Sequence, residues 1–574
     1  MSEITSKPTC LTREEEDSFE VLDYRSAVIN AIDTAAASAP TAFTENGMPC
    51  HASNQAALGS ASLALANEAV RNAPAKRIEE LAEALFDEGG AEALAVMAAH
   101  VRDVRGGRGE REVVIPMLHV LARRATAAAK AVLSLLADEY GCWGDLPRYA
   151  EAITELEEAS VQAYADQLRA DEAVQASASK PHISLAAKWA PRESKSKAGF
   201  ATALCRMLCG DARPTSRKAY RKRLASLTAI LDVPETKMCS GRWSEIAPAA
   251  TPARCALKNR AGFANVTLKG PDRGKRRSEL PDRIACAEHF EEAAKKRKLK
   301  GGVLHPHELV REMMNKNGAT QEQEMLEAQF DALVKETVGK GTLGKIVPLV
   351  DVSGSMSGTP MEVAIALGLL VATASDTTFR DRVMTFSEHP TWVKLDEKAS
   401  AGDRARTIAR APWGMNTNFE RAMRLIVDAL TSAKVPPEDA EGITLLVLSD
   451  MQFDQARGRG KSKWETSLTM IDRMFQESGY TRPHIVFWNL RSTGTAPVKA
   501  DVPGVTSLAG FSATYLRLFL DGGVDALRKL SPLAVLEASL GAERYHPIRA
   551  AVAKAQAGGG EGDEEEKGQE VKKR

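Results

Sequence analysis

No stretch of this 574-residue sequence approaches about 18 consecutive apolar residues, so no membrane-spanning helix is expected. The first residues, MSEITSKPTCLTREEEDSFE, lack the basic start and apolar core of a signal peptide. The eight cysteines have no metal-type spacing, and the closest pair, Cys205 and Cys209, reads as buried thiols in an apolar helical stretch. That usage fits a reducing compartment, and the expected location is cytoplasmic. No His–Cys, Ser–His–Asp or HExxH arrangement accompanies a pocket-like motif, so no catalytic residues and no enzyme are expected. Net charge is absent too, with 76 Lys plus Arg against 76 Asp plus Glu. What is present, 44% hydrophobic and 26% charged residues, describes soluble globular domains, and the length calls for two to four of them.

The zero balance conceals an asymmetry. Residues 181–300 hold 27 Lys plus Arg against 11 Asp plus Glu, a surplus of 16 that the rest of the chain cancels. SRKAYRKRL, PDRGKRRSEL and KKRKLK lie in this block. Such a surplus is the electrostatic footprint of a polyanion site, and equally of solvated helix faces.

Residues 1–54 read as mostly irregular, apart from a short helical stretch near Tyr24–Ala37. From 55 to 340 one amphipathic helix follows another (LALANEAVRNA, KRIEELAEALFDE, AEALAVMAAHVRD), with short breaks at EGG, RGGRGE and YGCWGD. Successive short helices with brief turns predict helical pairs stacked as a solenoid or ring, although no fixed-period repeat is legible. From 345 apolar strands alternate with helices: KIVPLVDV, RVMTFSE, ITLLVLSD and HIVFWNLR, separated by MEVAIALGLLVATASD, NFERAMRLIVDAL and TSLTMIDRMFQESG. This predicts a doubly wound parallel sheet over 343–550. The tail 551–574 has almost nothing to bury and is expected to be disordered.

Ligands of doubly wound sheets bind beyond the carboxyl ends of the strands. DVSGS places Asp351, Ser353 and Ser355 at one such end. Asp450 of LLVLSD ends a second strand, and Thr417 of WGMNTNFE precedes a helix. Five hard oxygen donors on three loops suit an octahedral divalent cation; Asp and Ser are also ordinary turn formers. GKGTLGK at 339–345 fits G-x-x-x-x-G-K, but Ile346 follows where a hydroxyl is needed, and the stretch precedes its strand instead of following one. It reads as a flexible linker, and no nucleotide is expected.

These residues carry a resemblance. DVSGS, Thr417 and Asp450 look like the metal-ion-dependent adhesion site of a von Willebrand factor A domain. That resemblance implies that Asp351, Ser353, Ser355, Thr417 and Asp450 hold Mg²⁺ (or Mn²⁺ or Ca²⁺), with a further position for a partner's carboxylate. In the helical part, TENGMPCHAS, RDVRGGRGERE, YGCWGDL, SLAAKWAPRE and YRKRLASLTAILDVPETKMCSGRWSEI, with LSDMQFD and GFSATYLRLFL later, resemble an uncharacterised family of plants, fungi and large viruses. It joins a helical region to a C-terminal von Willebrand A module. That family is similar in turn to the Ro autoantigen and its TROVE domain, in which HEAT-like helical repeats close into a ring that binds RNA.

With RNA as the partner that the Ro-like analogy implies, the expected contacts are Arg105 and Arg108 on the RGGRGE turn, Lys188, Arg192 and Lys195 beside Trp189, and Arg221, Lys222 and Arg223 of the basic block. For each there is a plainer reading. RGGRGER makes a helix–helix turn whose arginines pair with Asp103, Glu110 and Glu112; Trp143 and Trp189 are core or ring-contact aromatics; His182 packs or caps. Two functions follow. One is a non-catalytic RNA-binding ribonucleoprotein scaffold, for structured RNA or single-stranded ends. The other is an adaptor whose metal site grips an acidic protein partner without RNA.

Overall fold

The structure, a computed structural model, describes residues 42–45, 49–177, 181–192, 197–267, 271–315, 320–339, 341–387, 389–411, 418–453, 467–521 and 530–557. The expected helix at 24–37 and the tail from 558 lie outside them. Among the described residues no helix is long and apolar enough to cross a membrane.

Helical spacing of Ala, Leu and Val builds the first half. Ser60 caps α1 (Ala61–Glu68), accepting from the Leu63 amide, and Leu63, Leu65 and Ala66 are buried. α2 (Ala75–Arg102) runs through EGG but breaks internally at Gly90, where φ is 68°, so it is two helices meeting at a corner. α3 (Val114–Arg124) lies along α2. The two bury Leu81, Leu85, Leu94, Met117 and Leu121 in a core that continues to α4 (Glu157–Ser177) and α5 (Pro214–Ile230). α6 (Ala253–Phe263), α7 (Pro306–Met314) and α8 (Thr320–Val338) complete the helical series.

The second half is an α/β unit whose six-stranded sheet has the order β5 (Trp392–Lys394), β4 (Arg382–Phe386), β3 (Ile346–Asp351), β6 (Thr444–Ser449), β7 (His484–Asn489), β9 (Val505–Ala509). All pairs are parallel except β4–β5. β3, β6 and β7 are buried at every position, as a sheet covered on both faces requires. One face packs under α9 (Thr359–Ala374), the other under α11 (Phe419–Ser432). α10 (Ala401–Ala409) flanks α9. From β3 the chain steps outward to β4 and β5, then returns to β6 and steps the other way. The order therefore reverses between β3 and β6, which makes a crevice at their carboxyl ends.

Both ends of the helical series are seated on this sheet unit. At the first end β2 (Pro49–Ala52) pairs with β1 (Ala42–Phe43) and with β8 (Thr495–Ala496), His51 opposite Ala496. Asn67 and Glu68 of α1 bond Asn489, Ser507, Ser492 and Gly494. At the other end Glu327 of α8 accepts from the amides of Ala401 and Gly402, and Arg406 donates to the Met313 carbonyl. The ends also meet directly where Arg71 reaches His305, 3.3 Å away, so the chain closes a circuit.

Within the segment 1–54, expected to be mostly irregular, the described residues include β1 and β2. Two expectations are corrected. GKGTLGK is no flexible linker: Leu343 is buried with its amide on the Ala374 carbonyl, and Lys345 donates to the carbonyls of Asp439 and Glu441. Residues 551–557 are helical, and Val552 joins Tyr545 and Ile548 in the core of the first half. Apolar residues spaced at 545, 548 and 552 make one helical stripe.

A buried polar cluster ties the halves at this point. His100 lies between the hydroxyls of Tyr515 (2.6 Å) and Tyr545 (3.0 Å), and Asp103 takes Arg544 and Tyr545. Burial, then the Arg108 charge, holds the His100 pKa down at about 3. The unfolded chain takes up this proton below its ordinary 6.5, the native state only near 3. Stability is therefore lost as pH falls through that window and regained as pH rises. Urea midpoints measured from pH 7.5 to 4.5 should fall, and less steeply in His100→Gln, whose side chain cannot be protonated.

Candidate functional site

The crevice between β3 and β6 gathers the strand-end residues. Asp351 is buried at the end of β3, with Oδ1 accepting the Ser353 amide (2.9 Å) and Oδ2 the Ser449 hydroxyl (2.5 Å). The chain turns at once into a short 3₁₀ segment, Gly354–Met356, which sets the Ser353 and Ser355 hydroxyls 3.1 Å apart. Arg491, in the loop after β7, holds this turn by donating to the Ser355 carbonyl at 2.6 Å. Asp450 follows β6 and is 1% exposed; one oxygen takes the Gln452 amide (3.1 Å), and Oδ2 has no hydrogen-bond partner. Between Asp450 and Gln452, Met451 sits in the left-handed region at φ 63°, a conformation that non-glycine residues hold only under strain from their surroundings.

Burial, then the charge of Asp450, raises the Asp351 carboxyl to about 7, against the hydrogen bonds of Ser449 and Ser353. Burial likewise raises Asp450, opposed by the Ser355 hydroxyl, the Gln452 amide and Arg491. Two mutually repelling buried carboxylates, one oxygen without a donor and two adjacent hydroxyls fit a small oxygen-seeking cation, whose charge relieves both acids. Thr417 lies outside the described residues, so four of the five expected ligands are placed, and these four come together.

The residues expected to meet RNA separate into groups. Arg108 is a correction. It is 2% exposed, and its guanidinium donates to Tyr515 (2.8 Å) and to the carbonyls of Ala66 (2.5 Å) and Ala69 (3.2 Å), so it ties the halves and is closed to phosphate. Arg105, on the same turn, is exposed and donates to the Glu139 carbonyl. Nor do the turn's arginines take the expected partners: Asp103 pairs with Arg544, Glu110 with Arg71 and Glu112 with Arg148, while Arg102 and Arg111 share Asp145. The glycines are needed here, since a Cβ on Gly107 would meet the His100 carbonyl at 2.0 Å.

Arg221 and Lys222 project from the exposed face of α5, and Arg192 lies across the same helix at Thr228. Arg223 is drawn inward onto Glu172 and the Leu208 carbonyl, and Lys188 pairs with Glu235 at 3.2 Å. Lys195 lies outside the described residues. Trp143 is buried with its indole on Asp138, whereas Trp189 is 42% exposed. His182 is exposed.

Trp189 lines a partly open cavity of about 640 Å³ between the two halves, together with Arg71, Arg111, Arg254 and His305 of the helical half and Arg517 of the sheet unit. A smaller one, about 390 Å³, opens beside Asp450 between the halves, walled by Glu45, Glu68 and Arg77 on one side and Gln452 and Arg491 on the other. Sequence reasoning missed Ser449, Gln452 and Arg491; the only local signal was their place beside strand ends.

Comparison with known proteins matches the two halves separately. Residues 151–343 match a domain of unknown function, DUF2828, and residues 345–544 match another, DUF7788. An uncharacterized protein of Acanthamoeba polyphaga mimivirus, L728, is 29% identical over 456 residues, 76% of this chain and 77% of the viral protein. Among solved structures, the Ro (RSR) protein of Deinococcus radiodurans aligns at a TM-score of 0.42 and 14% identity, over 77% of this chain and 94% of that one. Proximal thread matrix protein 1 of the mussel byssus aligns at 0.23 and 14%, over 32% and 49%. Neither structural likeness is close enough to carry function across.

Replacing Arg108 by Met should leave the Ala66 and Ala69 carbonyls and the Tyr515 hydroxyl short of a donor. The expected loss is about 2–3 kcal/mol of stability, read by urea denaturation, because buried acceptors are left unmet.

Proposed function

We propose that the protein is a non-catalytic, RNA-binding ribonucleoprotein scaffold of the Ro/TROVE kind, whose α/β unit is a von Willebrand A-like domain carrying a divalent-metal adhesion site. The observation that supports RNA binding is where the basic block puts its charge. Arg192, Lys218, Arg221 and Lys222 are exposed around α5, and Arg273, Lys275, Arg276 and Arg277 are exposed on one loop. Some are offset locally, as Lys275 is by Asp272, but the surplus faces solvent, where a phosphate backbone can displace counterions. Phosphate contacts of this type position a nucleic acid without reading its sequence. The partly open cavity, with Trp189 exposed beside arginines, offers an aromatic face on which a base from a single-stranded end stacks.

The metal reading is supported by the buried Asp351–Asp450 pair and the unpartnered Oδ2. Asp351, Ser353, Ser355 and Asp450 would hold Mg²⁺ or Mn²⁺, directly or through water, and the ion would supply a fixed positive charge to which a carboxylate binds.

One experiment addresses both readings. RNA affinity measured by filter binding should fall linearly in log–log form with salt, at roughly −0.7 per phosphate contacted on single strands. Arg221→Ala with Lys222→Ala should weaken binding across sequences and flatten the slope. Asp351→Ala with Ser353→Ala should abolish Mg²⁺ binding in calorimetric titration and leave RNA affinity unchanged. A near-zero salt slope in the parent overturns RNA binding. Partner capture lost with Asp351→Ala, together with that result, establishes the adaptor instead.

A further inference from the structure

The protein's own N-terminal segment is bonded beside the crevice, next to Asp450: the Thr44 hydroxyl donates to the Phe453 carbonyl at 2.6 Å, and the Glu45 amide donates to the Gln452 side chain at 2.6 Å. These contacts lie two and three residues beyond Asp450, so the backbone of residues 44–45 is pinned beside the metal carboxylate. β2 continues the segment into its pairing with β8, which fixes it at a second point. Glu45 and Asp450 wall the same small cavity, and Glu45 is close enough for its charge to be felt at Asp450. Arg77, the nearest cationic wall residue on that side, is engaged elsewhere, with the Ser53 carbonyl (2.7 Å) and Glu80. Among the described residues no cation is paired with Glu45. Asp450 is 1% exposed, and its Oδ2 has no hydrogen-bond partner among the described residues, which leaves that oxygen available to a cation.

We infer that Glu45 is the carboxylate that takes the outward position of the metal, in cis, so that the ion clasps the N-terminal strand pair of the helical half to the sheet unit. The inference rests on the metal reading above. Among the described residues no three acidic, histidine or cysteine side chains converge, so Glu45 reaches the ion by rotating about its own side-chain bonds once the charge is present. The exposed position of Glu45 permits this. The metal then has two consequences at once: it neutralises Asp351 and Asp450, and it adds a bond between the halves to the ties already made at β2–β8, Asn67, Glu68, His100, Arg108 and Glu327. A partner's carboxylate reaches the same position only by displacing Glu45.

The test uses the full chain and Mn²⁺ alone. Calorimetric titration should show one site in the parent, weakened about tenfold in Glu45→Gln, a change at an exposed residue that preserves shape. Hydrogen exchange of amides 44–53 should slow when Mn²⁺ is added to the parent and be indifferent to it in Glu45→Gln. Equal affinity in the two proteins, or exchange at 44–53 that ignores Mn²⁺ in the parent, overturns the clasp while leaving the metal site standing. Absence of Mn²⁺ binding in the parent takes down the metal site itself.

Discussion

The fold depends on a buried knot of polar side chains at the seam between its halves. Arg108, His100 and Asp103 come from one turn of the helical series; Tyr515, Arg544 and Tyr545 come from beyond the last strand. Each member needs the others, because a buried imidazole, guanidinium or carboxylate without partners costs more than the knot as a whole gains. The glycines of RGGRG exist to let this turn fold against the end of α2, with Gly107 tight on the His100 carbonyl. Across the same seam Asn67 of α1 meets Asn489 of β7 and Ser507 of β9, Glu68 meets the loop after β7, and β2 pairs with β8. The cavity beside Asp450 thus acquires a wall that belongs to the other half of the chain.

Local pattern carried some of this and not the rest. Helical spacing before 340 and strand–helix alternation after 345 were legible because each element's burial shows in its own period. Asp351 and Asp450 could be found because, in a doubly wound sheet, the strand end is itself the site. Arg108 could not be separated from a phosphate ligand, since its partner Tyr515 lies 407 positions away. The same distance problem hid Glu45, whose amide meets a side chain 407 positions along. The glycine-rich run at 339–345 looked loose because its anchors, the carbonyls of Ala374, Asp439 and Glu441, come from elsewhere in the sheet unit.

Charge is divided in the same way. The surplus of the basic block is spread over exposed side chains, each separately hydrated, and salt screens it. The two carboxylates of the crevice are the reverse case, few and buried, where a single ion changes the local balance completely. Their spatial separation keeps the diffuse cationic surface and the buried pair of carboxylates from cancelling each other.

The last described helix has a consequence for synthesis. Leu536, Tyr545, Ile548 and Val552, with Ala496 and Ala500, complete a core otherwise made from residues 58–231, so the first half is translated long before its packing can finish. Until the ribosome has passed residue 552, the helices from 61 onward present an uncovered apolar strip. Contacts of this sequence separation are slow to form and leave such surface open to aggregation. The packing of the helical half is therefore completed only by the last-translated residues of the described chain.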